Sequence, residues 1–231
     1  MNGPGLRLLG AAAVVLLGIW AGARMYLNRN APGSDGIAVP AGIASAPDQR
    51  DNTLSETPVP RPVVPVRLPD FALNNLAGNP VSVSTWSGRS LVINFWATWC
   101  APCRHEVPLL KTLASEWAGR GLTVVGIAVD YKDKVREFAG QFKIDYPLLI
   151  GEQDALDLAA KFGMDSPAFP FTVFTDRRGE VVALFVGELH KPQADFILSV
   201  VENLNQDREQ LPEARRRISV GLEALAEKQS S

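Results

Sequence analysis

The sequence predicts an α/β domain in which helices flank a mixed central sheet, and three observations carry that reading. Leu91-Val-Ile-Asn-Phe95 and Leu122-Thr-Val-Val-Gly-Ile-Ala-Val129 are short apolar runs rich in β-branched residues, the signature of buried strands. Ala101 to Arg120, between them, has helical periodicity, with Val107, Leu110, Leu113 and Trp117 on one stripe. Phe171–Thr175 and Val181–Val186 flank Asp176-Arg-Arg-Gly179, a hairpin signal. Strand, helix and strand, then a hairpin and a closing helix, make a mixed sheet covered by helices.

Taken in order, residues 1–30 read as a signal anchor. Leu8 to Ala23, sixteen residues between Arg7 and Arg24, carry no charge. Ala21-Gly-Ala23 satisfies the small-residue rule of a cleaved signal peptide. If Arg24 snorkels, the span runs on to Leu27 and reaches the ~20 residues of a bilayer-crossing helix. Arginine on both flanks favours the retained anchor, and either reading exports the chain. Residues 31–67 read as a linker, because positions 31–69 hold 8 of the 17 prolines and no aromatic residue. At ~3 Å per extended residue the linker holds a domain up to roughly 100 Å from the membrane.

The domain itself is expected over residues 68–205. No element is assigned between Asp70 and Arg89. After the strand Leu91–Phe95 and the helix Ala101 to Arg120, Gly119 and Gly121 lead into the strand Leu122–Val129. Lys132 to Phe142 reads as an amphipathic helix, Tyr146 to Ile150 as a short strand, and Asp154 to Phe162 as a helix ended by Gly163. The hairpin follows, and Lys191 to Asn205 closes the domain. In the tail, 206–231, Leu211, Ile218, Leu222 and Leu225 form one stripe. Such a stripe means a helix packed on the domain, with a partner-binding helix as the alternative.

Among 231 residues, 23 Lys and Arg stand against 25 Asp and Glu, a formal charge of −2. That balance lacks the basic footprint of phosphate neutralisation and argues against nucleic acid as a partner. The two cysteines, Cys100 and Cys103, are separated by two residues, so no long loop is stapled. Trp99-Cys-Ala-Pro-Cys103 sits where a strand hands over to a helix. The free N–H groups and dipole of a helix N-terminus lower a thiol pKa there. Cys100 is therefore expected as the exposed nucleophile and Cys103, one turn in, as the shielded resolving thiol. Such a pair also forms half of a zinc site, yet no other cysteine exists, and His105 lies about 200° round the helix from Cys103. No metal or cofactor is expected, and His105 and His190 are read as surface residues.

Asn94-Phe-Trp-Ala-Thr-Trp-Cys-Ala-Pro-Cys-Arg-His-Glu-Val-Pro108 resembles the active-site stretch of the thioredoxin superfamily, and more narrowly its TlpA/ResA-like branch of membrane-anchored thiol–disulfide oxidoreductases. The resemblance covers about residues 68–204. It implies a thioredoxin-like fold, with the catalytic domain in the periplasm and a single-pass anchor in a bacterial inner membrane. Where cytosolic thioredoxins carry a buried Asp, six before the first cysteine, this chain has Asn94. The branch instead has a Glu three residues after the second cysteine, here Glu106, as proton shuttle. Phe169-Pro170, abutting the strand Phe171–Thr175, matches the loop that ends in a cis-proline; Pro167 is three residues too early. Trp99, Pro102, Phe169 and Pro170 are then the client-binding residues. Similar proteins draw electrons from a membrane dithiol donor and reduce disulfides of exported clients, commonly apocytochrome c or copper-site assembly proteins. Peroxiredoxin chemistry is excluded, since its motif needs Pro and Thr or Ser where Ile93 and Ala97 stand. A copper-binding assembly chaperone, using both cysteines and His190, is the alternative.

Overall fold

The structure, a computed structural model, describes residues 64–229. Its strands are β1 (Ala72–Asn75), β2 (Pro80–Ser82), β3 (Ser90–Trp96), β4 (Leu122–Val129), β5 (Leu148–Gly151), β6 (Phe171–Thr175) and β7 (Val181–Val186). Its helices are α1 (Ala101–Trp117), α2 (Lys132–Phe142), α3 (Gln153–Ala160), α4 (Lys191–Asn205) and α5 (Leu211–Gln229). The strands make one sheet in the order β2-β1-β5-β4-β3-β6-β7. β3, β4 and β5 run parallel, and every other pairing is antiparallel.

All seven residues of β3 are buried, so both faces of the sheet are covered there. Side chains alternate between faces along a strand. Val92 and Trp96 belong to the core layer that includes Val107 and Leu110 of α1, Phe138 of α2 and Ile197 of α4. Ile93 and Phe95 belong to the opposite layer with Leu158 of α3, Phe162 and Val173. Asn94 is in phase with Val92 and Trp96, so its amide faces α1.

All nine elements expected over residues 68–205 recur with boundaries within a few residues. The helix expected over Ala101 to Arg120 ends at Trp117, and its last turn tightens into a 3-10 segment, Ala118–Arg120, before left-handed Gly121. β5 starts later than expected, after Pro147, which has no N–H to give a ladder. α3 stops at Ala160, two residues short of the expected end. The hairpin of β1 and β2 went unassigned from sequence; its turn is built on Asn75, whose Oδ1 accepts from the N–H groups of Ala77 and Asn79.

Two segments join the domain beyond the limits expected from sequence. Residues 64–67, counted with the linker, pair with β7: Arg67 bridges Glu180, and the Val181 N–H donates to the Val66 carbonyl at 2.9 Å. α5 packs on α4 and β7 with Ala214 and Ile218 buried. Arg215 of α5 ties both segments down, donating to the carbonyls of Val181 and Pro65. The anchor and most of the linker, residues 1–63, lie outside the described residues. Among the described residues no helix is long and apolar enough to cross a membrane.

Candidate active site

Cys100 is the N-cap of α1: its backbone is extended, and its Sγ accepts the Cys103 N–H at 3.2 Å. Pro102 stands in the first turn, where a missing N–H costs no hydrogen bond. Cys100 and Cys103 form a disulfide with their Cα atoms 5.3 Å apart. Cys103 is 1% exposed, and Cys100 only 5%. The expectation of an exposed Cys100 is corrected for this oxidised state, because bonding to Cys103 turns its sulfur back over the first helical turn.

Glu106 lies one turn beyond Cys103 on the same helical face and is 1% exposed. Its Oε1 accepts from Asn94 Nδ2 at 2.8 Å and its Oε2 from the Leu189 N–H at 3.0 Å. Asn94 Nδ2 also donates to Thr172 Oγ1, the residue directly across the β3–β6 ladder. Burial pushes the Glu106 carboxyl up to about 7; the Leu189 and Asn94 hydrogen bonds pull it down, and the charge of Glu188 pushes it up. The Tyr146 phenol is raised by its own burial and then by the charges of Glu106 and Asp145.

The Phe95↔Phe171 register carries the loop before β6 to the same end of the sheet as the cysteines. The Phe169–Pro170 bond in that loop is cis. Trp99, 70% exposed, meets Phe169 edge to face at 6.1 Å. Trp99, Pro102, Phe169 and Pro170 thus gather on the cysteine end of the sheet. His105 and His190 are half or more exposed there, and each turns Nδ1 toward Glu188, at 3.3 and 3.8 Å. Sequence reasoning passed over two contributors. Asp130 accepts the N–H and hydroxyl of Thr98 and so holds the loop leading into Cys100. The Leu189 N–H is the second donor to Glu106. Neither bears a local signal, since their partners lie 32 and 83 residues away.

This arrangement is matched by known proteins. The Redoxin family model matches residues 64–198. The chain belongs to the Redoxin family. Thioredoxin-like protein YneN of Bacillus subtilis is 34% identical over 131 residues, 55% of this chain and 74% of that protein. Thiol-disulfide oxidoreductase ResA of Geobacillus kaustophilus is 32% identical over 135 residues, 58% of this chain and 75% of that one. Among solved structures, a thiol:disulfide interchange protein of Chlorobium tepidum shares 30% identity with a TM-score of 0.53, covering 59% of this chain and 96% of its own. A secreted thiol-disulfide isomerase of Corynebacterium glutamicum shares 28% with a TM-score of 0.51, over 55% and 80%. This Redoxin protein is a TlpA/ResA-like member of the thioredoxin superfamily and a protein thiol–disulfide oxidoreductase, with its Cys-x-x-Cys pair at 100 and 103.

Proposed function

We propose that the chain is a membrane-anchored, extracytoplasmic reductase of client-protein disulfides. The observation that carries this is the buried Glu106 carboxyl, held between Asn94 and Leu189 one turn behind Cys103. In the reduced protein the Cys100 thiolate attacks one sulfur of a client disulfide, and the other client sulfur leaves as a thiolate. Cys103 then loses its proton to Glu106 and attacks the Cys100 sulfur, expelling the second client thiolate. Two electrons reach the client, and the Cys100–Cys103 disulfide is the product. A carboxyl near 7 takes and returns that proton at neutral pH. A dithiol donor in the membrane restores the pair. Trp99, Pro102, Phe169 and Pro170 bind the client backbone and side chains around the disulfide.

The uncharged stretch Leu8 to Ala23 supports export, as does the likeness to a relative described as secreted. Apocytochrome c and copper-site assembly proteins are the client classes that fit this branch. The test is trapping in the native compartment with the full chain. Cys103→Ser should accumulate mixed disulfides with exported proteins, and Cys100→Ser should accumulate none. Equal trapping by the two variants would sink the assignment of nucleophile and resolving thiol.

A further inference from the structure

At the end of the sheet remote from the cysteines lies a cavity of about 190 Å³ lined by Arg67, Arg89, Arg177 and Arg178, with Asp70 as its one acidic lining residue. Neutral oxygens hold three of these arginines. Arg67 donates to the Arg178 carbonyl, Arg89 to Thr123 Oγ1 and the carbonyls of Ala118 and Leu122, and Arg177 to the Arg120 carbonyl. Arg178 pairs with Asp207, whereas among the described residues Arg67, Arg89 and Arg177 form no ion pair. A carbonyl or hydroxyl orders a guanidinium without cancelling its charge. Three ordered cations therefore crowd one cavity against a single carboxylate, and an anion relieves their repulsion. Ser84 and Ser87 bring hydroxyls to the lining. Gly88 and Gly179, both left-handed, leave open space where a Cβ would stand.

Position narrows the ligand. The cavity reaches Leu91 and Thr175, at the start of β3 and the end of β6, while the cysteines follow the other end of β3. A strand of that length separates the two by roughly 20 Å at ~3.3 Å per residue. Arg67 comes three positions after Val64, the first described residue. From Val64 the chain runs down the β7 edge, antiparallel to that strand, and reaches the cavity at Arg67. We infer that this cavity binds the phosphodiester of an anionic phospholipid headgroup. The inference rests on the proposed anchor, which keeps lipid phosphate within the linker's reach. Guanidinium forks match phosphate oxygens bidentately. Docking lays the basic end on the bilayer and turns the cysteine pair toward the aqueous side, where clients arrive.

The full chain in neutral detergent is titrated with dihexanoyl phosphatidylglycerol, with dihexanoyl phosphatidylcholine and with inorganic phosphate. The Trp86 indole NMR resonance is the reporter, because Trp86 lines the cavity. Phosphatidylglycerol should shift it saturably and phosphatidylcholine should not. Replacing the two exposed arginines that form no ion pair among the described residues, Arg67→Gln with Arg177→Gln, should raise the apparent Kd at least about tenfold. An equal response to phosphatidylcholine, no saturable response to phosphatidylglycerol, or a response undiminished in the double variant overturns the inference. Saturation by inorganic phosphate alone makes this a free-anion site and overturns it too. The titration is read in detergent, so loss of the anchor reading in a membrane-extraction assay leaves its outcome separate.

Discussion

Glu106 is a carboxyl that the fold supplies with two donors, the Asn94 amide and the Leu189 N–H, while denying it water. Desolvation outweighs both donors, and the group titrates near 7 instead of 4.5. A carboxyl whose folded pKa is raised favours the folded state while protonated. That contribution is full below about 4.5 and is lost as pH climbs through about 7. Its size is on the order of 3 kcal/mol for a group this buried. Oxidised Glu106→Gln should therefore match the wild type more closely at pH 5 than at pH 8, where it should be the more stable protein by urea unfolding. On the proposed mechanism, the same substitution in the reduced protein removes the proton acceptor for Cys103. Client reduction near neutral pH should slow by ~10²-fold, with altered thiol alkylation profiles. Superimposable profiles and unchanged reduction would make Glu106 merely a helix-start acid. Asn94 and Glu106 were legible through the family resemblance, which marks the positions six before the first cysteine and three after the second. The Leu189 N–H and Asp130 were not, because only packing brings them within reach.

The strands and helices around the site follow from patterns within each segment. β4, α2, β6, β7 and α4 were legible with their limits, because each is a periodic run bounded by glycine, proline or a charged turn. β1 and β2 have four and three residues, too few for a period to stand out. β4 also holds a close approach: a Cβ on Gly126 would stand 2.6 Å from Leu148 Cδ2, 3.1 Å from Trp96 Nε1 and 3.2 Å from the Tyr146 ring. Trp96 leaves β3 one turn before the cysteines, and Tyr146 feels the charge of Glu106. Gly126→Ala should cost ~1–3 kcal/mol by overpacking. It should also disturb the near-ultraviolet dichroism of the tryptophans. A variant as stable as the wild type, with an unchanged spectrum, would mean that Leu148 and Trp96 repack freely.

At the scale of the molecule, the domain presents the cysteine pair at one end of the sheet and four arginines at the other. α5 and residues 64–67 close the β7 edge between them through Arg215. An anchored chain should stay in the membrane pellet after alkaline extraction. Val15→Arg with Leu16→Arg should release it, since each charge at the centre of a span costs ~2.5–3.5 kcal/mol. A wild-type chain recovered in the supernatant and starting after Ala23 would return the segment to a cleaved signal.

The family resemblance pointed to Asn94, Glu106 and Pro170; local order along the chain was enough to determine the α/β class and the strand-to-helix seat of Cys100 and Cys103. Both of the latter depend on residues within a turn or a strand of one another. Tertiary structure alone decided how little of Cys100 meets solvent, which backbone N–H completes the Glu106 pair, what α5 covers, and that arginines from residues 67, 89, 177 and 178 share a cavity. Those facts depend on burial and on contacts across tens of residues. Desolvation and charge are properties of surroundings, and only the folded chain has surroundings.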